Sequence, residues 1–93
     1  MELILRNKFI KQVSKLPKEI QEAVNKDLTI LGESDNLESS GLDIKRMAGQ
    51  KKNTNYYRIR VGDWRIGIEV DDPFVIVITI LTRGDIYKKF PPK

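Results

Sequence analysis

Two residues, Gly62-Asp63, separate Tyr56–Val61 from Trp64–Val70, and both flanking stretches are rich in β-branched and aromatic side chains. A gap of this length and composition between two such runs is the signature of a tight β-hairpin. With Gly62 and Asp63 as the loop, Val61 pairs with Trp64, Arg60 with Arg65 and Arg58 with Gly67. Side chains alternate along a strand, so Tyr57, Ile59, Val61, Trp64, Ile66 and Ile68 share one face. Six apolar or amphipathic side chains make that face the core side, and a slip of one residue would turn all of them to water. Arg58, Arg60 and Arg65 then stand together on the opposite face, and Gly67 leaves a gap there for the close approach of a ligand backbone.

Like charges opposed across an antiparallel pair are destabilising, so folding does not favour this arrangement. An anion or an acidic partner covering the face would make sense of it, because a guanidinium grips phosphate through two parallel hydrogen bonds. The plain alternative is a solvated polar face, with Glu69 pairing one of the arginines.

The rest of the chain supplies what the hairpin packs against. Met1–Leu5 reads as a short opening strand. From Asn7, an N-cap candidate, Phe9, Val13 and Leu16 recur at helical steps. Pro17 ends that helix and opens the next, in which Ile20, Ala23, Val24, Leu28 and Leu31 form one stripe and Gly32 is a natural C-terminal stop. Residues 32–41 are polar and acidic and predict a mobile loop. Leu42–Met47 reads equally as a strand or a turn of helix, and Gly49–Asn55 as a basic loop. Asp71-Asp72-Pro73 makes a turn into Phe74–Leu81, a nearly continuous apolar strand expected at the centre of a sheet. Arg83 joins the arginine face if that turn is a three-residue loop, and Tyr87 follows it as a ring able to stack on a base. The expected fold is α+β: two N-terminal helices in a hairpin packed on a small, mainly antiparallel sheet, with residues 1–93 as a single domain.

Composition narrows the chemistry. The chain has no cysteine and no histidine, which excludes thiol nucleophiles, thiolate metal sites and an imidazole base. No carboxylate cluster has metal-ligand spacing, so neither a metal nor a cofactor is expected. The net charge of +4 is unevenly spread: residues 1–44 carry −2 and residues 45–93 carry +6. A basic half suggests an anionic partner, nucleic acid first. Lys45, Arg46, Lys51, Lys52, Lys88 and Lys89 are candidates for diffuse contact with an RNA backbone, or else simply solvated. No apolar run approaches the roughly 20 residues of a membrane span, so a cytoplasmic protein without a membrane partner is expected.

Tyr57-Arg58-Ile59-Arg60-Val61-Gly62-Asp63-Trp64-Arg65-Ile66, followed after the apolar strand by Arg83-Gly84-Asp85-Ile86-Tyr87, resembles the RelE/ParE-type toxins of bacterial toxin–antitoxin modules. The order of helices and strands matches as well, so the resemblance covers nearly the whole chain, and its RelE-like branch is favoured. It implies a metal-independent, ribosome-dependent endoribonuclease that cuts mRNA by attack of the nucleotide's 2′-hydroxyl on the adjacent phosphate. It also implies a cognate acidic antitoxin that neutralises the toxin, in a hetero-oligomer. By position, Arg58 and Arg60 match the family's basic strand residues, Arg65 its phosphate-binding arginine, and Arg83 and Tyr87 its terminal arginine and tyrosine. Two departures stand out: Thr82 replaces a histidine found in some relatives, and arginine replaces lysine at position 58. An arginine stays protonated, so the catalytic base is unassigned. The same resemblance also admits a ParE-like inhibitor of DNA gyrase without ribonuclease activity, or an inactive relative that only binds its antitoxin.

Overall fold

The structure, a computed structural model, describes residues 1–91. Pro92 and Lys93 lie outside the described residues. The element order is β1 (Glu2–Leu5), α1 (Asn7–Ser14), α2 (Lys18–Glu33), a 3-10 turn (Glu38–Ser40), β2 (Ile44–Arg46), β3 (Tyr56–Val61), β4 (Trp64–Asp71), β5 (Phe74–Thr82) and α3 (Arg83–Lys89). The five strands form one sheet in the order β1-β5-β4-β3-β2, antiparallel except for the parallel pair β1 and β5. The fold is α+β, as the sequence predicts.

The hairpin forms in the register derived from its loop: Val61 pairs with Trp64, Arg60 with Arg65 and Arg58 with Gly67. Gly62 takes φ 60°, the left-handed value that a tight turn requires. Ile59, Val61, Ile66 and Ile68 are buried on the core face against Phe9 of α1 and Val24, Leu28 and Leu31 of α2, with Val75, Val77 and Ile80 of β5 beside them. Each such fully buried aliphatic side chain is worth about 1.5–3 kcal/mol. Tyr57 and Trp64 pack at the border of this cluster.

Local details depart from the sequence reading at the helix ends. Arg6, not Asn7, is the extended residue before α1. α2 runs through Gly32 and stops at Glu33, with the Ser34 hydroxyl donating to the Ile30 carbonyl at 2.6 Å. The acidic loop is pinned rather than free. Asn36 and Ser39 cap one another through backbone and side chain, and Leu37 and Leu42 rest on the core. Residues 44–46 are a strand, on the edge of the sheet.

The β4–β5 turn has two loop residues, since Asp71 pairs with Phe74. The three-residue loop on which the sequence reading made the face of Arg83 depend is therefore not the one formed. A register shift between Gly67 and Ile68 restores the lost residue further along, so Gly67 pairs with Thr79 and Trp64 with Thr82. β5 lies between β1 and β4 and so leaves the centre of the sheet to β4. β1 covers only the first part of the outer edge of β5, through Val77. α1 covers the next: the Gln12 side-chain carbonyl accepts from the Ile80 amide at 3.0 Å and from the Thr79 hydroxyl at 2.8 Å. A bare edge is thereby satisfied by one side chain.

The largest departure is α3. It follows β5 directly, with the Thr82 hydroxyl accepting from the Asp85 amide at 3.3 Å as its N-cap. α3 packs on the sheet face opposite α1 and α2, where Ile86, Phe90 and Met47 make a second buried cluster with Tyr56, Ile78 and Leu81 against it. Hence the arginine face is not an open polar surface.

Candidate functional site

α3 lies over the hairpin, so the arginines it covers lose water. Arg58 and Arg65 are 7% and 8% exposed, while Arg60, nearer the turn, stays open. Gly67 does not offer a gap to a ligand. The chain's own Phe90 fills it, its ring lying edge-on to Tyr56 at 5.4 Å and 84°.

The opposed charges are separated by where each guanidinium goes. Arg65 folds back onto the turn, donating from Nη1 to the carbonyls of Gly62 at 2.8 Å and Trp64 at 2.9 Å. Its Nε is buried and has no hydrogen-bond partner among the described residues. Arg58 turns to Asp43, donating to the carboxylate at 3.2 Å and to the backbone carbonyl at 3.3 Å. Arg60 reaches the same carboxylate at 4.0 Å. Glu69, which the alternative of a solvated polar face would pair with one of these arginines, lies opposite Tyr56 in the sheet. Asp43 was missed because nothing near it in sequence points to position 58; the β2–β3 pairing brings them together.

Tyr87 completes the cluster from above. It is 61% exposed, yet its hydroxyl lies toward Arg58 and Arg65. Hydrogen bonding toward the Arg58 guanidinium is the strongest influence on its ionisation, opposed by desolvation and reinforced by the charges of Arg58 and Arg65. Together they hold the phenol below its ordinary range. Arg83, exposed at the first position of α3, donates its amide to the Asp63 carbonyl at 3.0 Å. It therefore sits beside the turn that Arg65 grips. The five residues singled out in sequence thus belong to one neighbourhood, with two buried arginines beneath a tyrosine and two exposed arginines beside them.

The outlying lysines and Arg46 divide. Lys45 pairs across the strands with Arg58 and shares the arginine face. Arg46 pairs with Tyr57 and stacks over its ring at 5.7 Å. Its guanidinium ties the following loop through Asn55 at 3.1 Å and the Thr54 carbonyl, on the side away from the cluster. Lys51 and Lys88 line a groove of about 780 Å³ between that loop and α3, together with Gln50, Tyr56 and Tyr87. Lys52 and Lys89 are exposed outside it. Among the described residues no group of histidine, cysteine, aspartate or glutamate could hold a metal ion, and no helix is long and apolar enough to cross a membrane.

The profile of the ParE toxin of type II toxin–antitoxin systems matches residues 3–87. The chain belongs to this family. Toxin RelE3 of Methanocaldococcus jannaschii is 36% identical over 91 residues, spanning 98% of this chain and 100% of that one. In solved structures, the RelB-RelE antitoxin-toxin complex from Methanococcus jannaschii matches with a TM-score of 0.76 at 35% identity, covering 95% of this chain and 99% of that one. The archaeal RelE-RelB complex from Pyrococcus horikoshii OT3 shares the fold, with a TM-score of 0.72 at 21% identity, over 89% of this chain and 94% of that one.

Proposed function

We propose that this ParE-family chain is the RelE-like toxin of a RelBE-type module, a ribosome-dependent endoribonuclease that cuts mRNA in the cytoplasm and is neutralised by an antitoxin. The observation that carries the reading is the position of Tyr87 over Arg58 and Arg65, which supports a role for its oxygen as the proton acceptor. A phenol held below its ordinary range is more often ionised, and so can take the proton of an RNA 2′-hydroxyl. The 2′ oxygen then attacks the adjacent phosphorus, and the bond to the 5′ oxygen breaks as that oxygen takes up a proton from the Tyr87 phenol or from water. A cyclic phosphate and a free 5′-hydroxyl are left.

The arginines supply what this step needs electrostatically. Arg65, with one side of its guanidinium anchored on the turn and its Nε unpartnered, is already oriented when a phosphate arrives. Such fixed charge at a partly desolvated site is usually the largest contribution to catalysis. Arg58 supports both the phosphate and the Tyr87 oxygen. Arg60 and Arg83, exposed on either side, grip the neighbouring phosphates. Lys51 and Lys88 line the groove that leads away from Tyr87 and would steer the backbone.

An antitoxin partner is supported by the relatives, which were solved as complexes of RelE with RelB. An acidic segment laid over Arg60, Arg83 and Tyr87 would occlude the site and neutralise its charge. The test is brief expression of the chain followed by mapping of mRNA 5′ ends. Codon-phased cuts in translated messages are expected. Intact messages with arrested replication would instead identify a gyrase inhibitor, the ParE-like alternative.

A further inference from the structure

Asp43 is the one carboxylate that the described residues place on the arginine cluster, and it is unequally shared. Its Oδ1 lies 3.2 Å from Nη1 of Arg58, whose side chain is 8% exposed, whereas its Oδ2 lies 4.0 Å from Nη1 of Arg60, whose side chain is 58% exposed. Its own side chain is 48% exposed, so water or a ligand can reach it. The backbone at this point is fixed rather than loose. The Asp43 carbonyl accepts from the Arg60 amide at 2.9 Å, and Leu42 and Ile44 on either side pack on the core. A carboxylate held this way is a built part of the sheet edge and not a chance surface pairing.

The two arms differ in how easily they yield. A contact at 4.0 Å between half-exposed groups is weak and screened, so a phosphate can replace the carboxylate on Arg60 at little cost. The contact with buried Arg58 has little water to replace it and holds. We propose that Asp43 is a positioning residue of this site, its carboxylate bracing Arg58 beneath the Tyr87 hydroxyl while surrendering Arg60 to the incoming phosphate. This inference rests on the ribonuclease reading for its catalytic part, and on geometry alone for its binding part.

The proposal has an unusual signature. Removing the charge takes a repulsive group away from the RNA, so binding tightens, but it also lets Arg58 drift, so turnover falls. Asp43→Asn is compared with the unaltered chain and with Asp43→Glu. Binding is read with a single-stranded oligodeoxynucleotide, which lacks the attacking hydroxyl and cannot be cut. Asp43→Asn is expected to bind it about three- to tenfold tighter at low salt, the difference closing as salt is added. Its kcat on ribosome-bound mRNA is expected to fall about ten- to a hundredfold, the usual consequence of a misplaced catalytic group. The guanidinium resonance of Arg58 is expected to be distinct in the unaltered chain and to collapse in Asp43→Asn toward that of a freely rotating side chain. Asp43→Glu should restore both the affinity and the resonance.

Equal loss of binding and turnover would overturn the proposal, since it would mark a merely structural carboxylate. Tighter binding with unchanged kcat and an unchanged Arg58 resonance would overturn it too, leaving only a counter-ion. If the unaltered chain cuts no mRNA, the ribonuclease reading fails; the affinity and the Arg58 resonance still decide whether Asp43 braces that arginine.

Discussion

Replacing Gly67 by alanine sets backbone propensity directly against packing. Glycine inside a strand costs about 0.5–1 kcal/mol relative to alanine, so propensity alone makes Gly67→Ala stabilising. The structure reverses the sign. A Cβ at position 67 would lie 2.9 Å from Cδ1 and Cε1 and 3.0 Å from Cε2 of Phe90. Carbon atoms pack best at about 3.5–4.0 Å, so the ring must retreat by roughly half an ångström or more. Phe90 is only 3% exposed and wedged against Tyr56, and overpacking of this kind costs about 1–3 kcal/mol. The net expectation is a loss of about 1–2 kcal/mol, each kcal/mol lowering Tm by about 4–8 °C in a domain of this size.

A double-mutant cycle isolates the cause. Phe90→Ala alone should cost about 3–5 kcal/mol if the site does not collapse. With Phe90 gone, Gly67→Ala should cost nothing further and should recover the gain from propensity. Urea denaturation of the four proteins measures the coupling, expected at about 1–3 kcal/mol. Strict additivity, or a stabilised Gly67→Ala, would refute the assignment of Gly67 as the seat of Phe90. Because α3 also carries Tyr87, the single variant should lose cleavage beyond its loss of stability.

Four further outcomes follow from the same geometry. Spectrophotometric titration should find the Tyr87 phenol ionising below its ordinary range, and Arg58→Ala should move it back up. On the pH axis the folded form loses this proton before the unfolded form does, so the Tyr87 contribution to stability is absent below the depressed folded value. It grows as pH rises from the depressed value toward the ordinary tyrosine value of about 10, and a contribution that falls over that window would contradict the linkage. Arg65→Ala should abolish cleavage and also cost about 1–3 kcal/mol in denaturant, because the guanidinium ties the turn, whereas Arg83→Ala should abolish cleavage while changing stability by less than about 0.5 kcal/mol. Gln12→Ala should cost about 1–3 kcal/mol by leaving the buried Ile80 amide without its acceptor, and a neutral result in denaturant would show that water replaces it.

What could be read in the sequence was whatever a short-range rule determines. Gly62-Asp63 fixed the hairpin register, and with it the identity of the core face and of the arginine face. The same rule says nothing of what covers a face. Thr82 and Asp85 form an N-terminal capping pair, and Ile86 and Phe90 stand four residues apart, so signals for α3 were present. They are short, and Gly84 argues against a helix. Missing α3 made Arg58 and Arg65 look solvent-facing and made Gly67 look vacant. Asp43 illustrates the other limit. It lies 15 residues from Arg58 in sequence and meets it only through strand pairing. Arg46 shows the converse, since its charge suggested an RNA contact while its strand parity commits it to Tyr57 and the neighbouring loop.

The account depends most on Tyr87 acting with the arginines beneath it as a ribonuclease site. The direct measurement is cleavage of mRNA on purified ribosomes, with the chemical ends of the products identified, for the unaltered chain, Tyr87→Phe and Arg83→Ala. The account predicts cyclic phosphate and 5′-hydroxyl ends from the unaltered chain and no cutting by either variant, both remaining folded. Cutting by Tyr87→Phe at an undiminished rate, or products with 5′-phosphate ends, would contradict it.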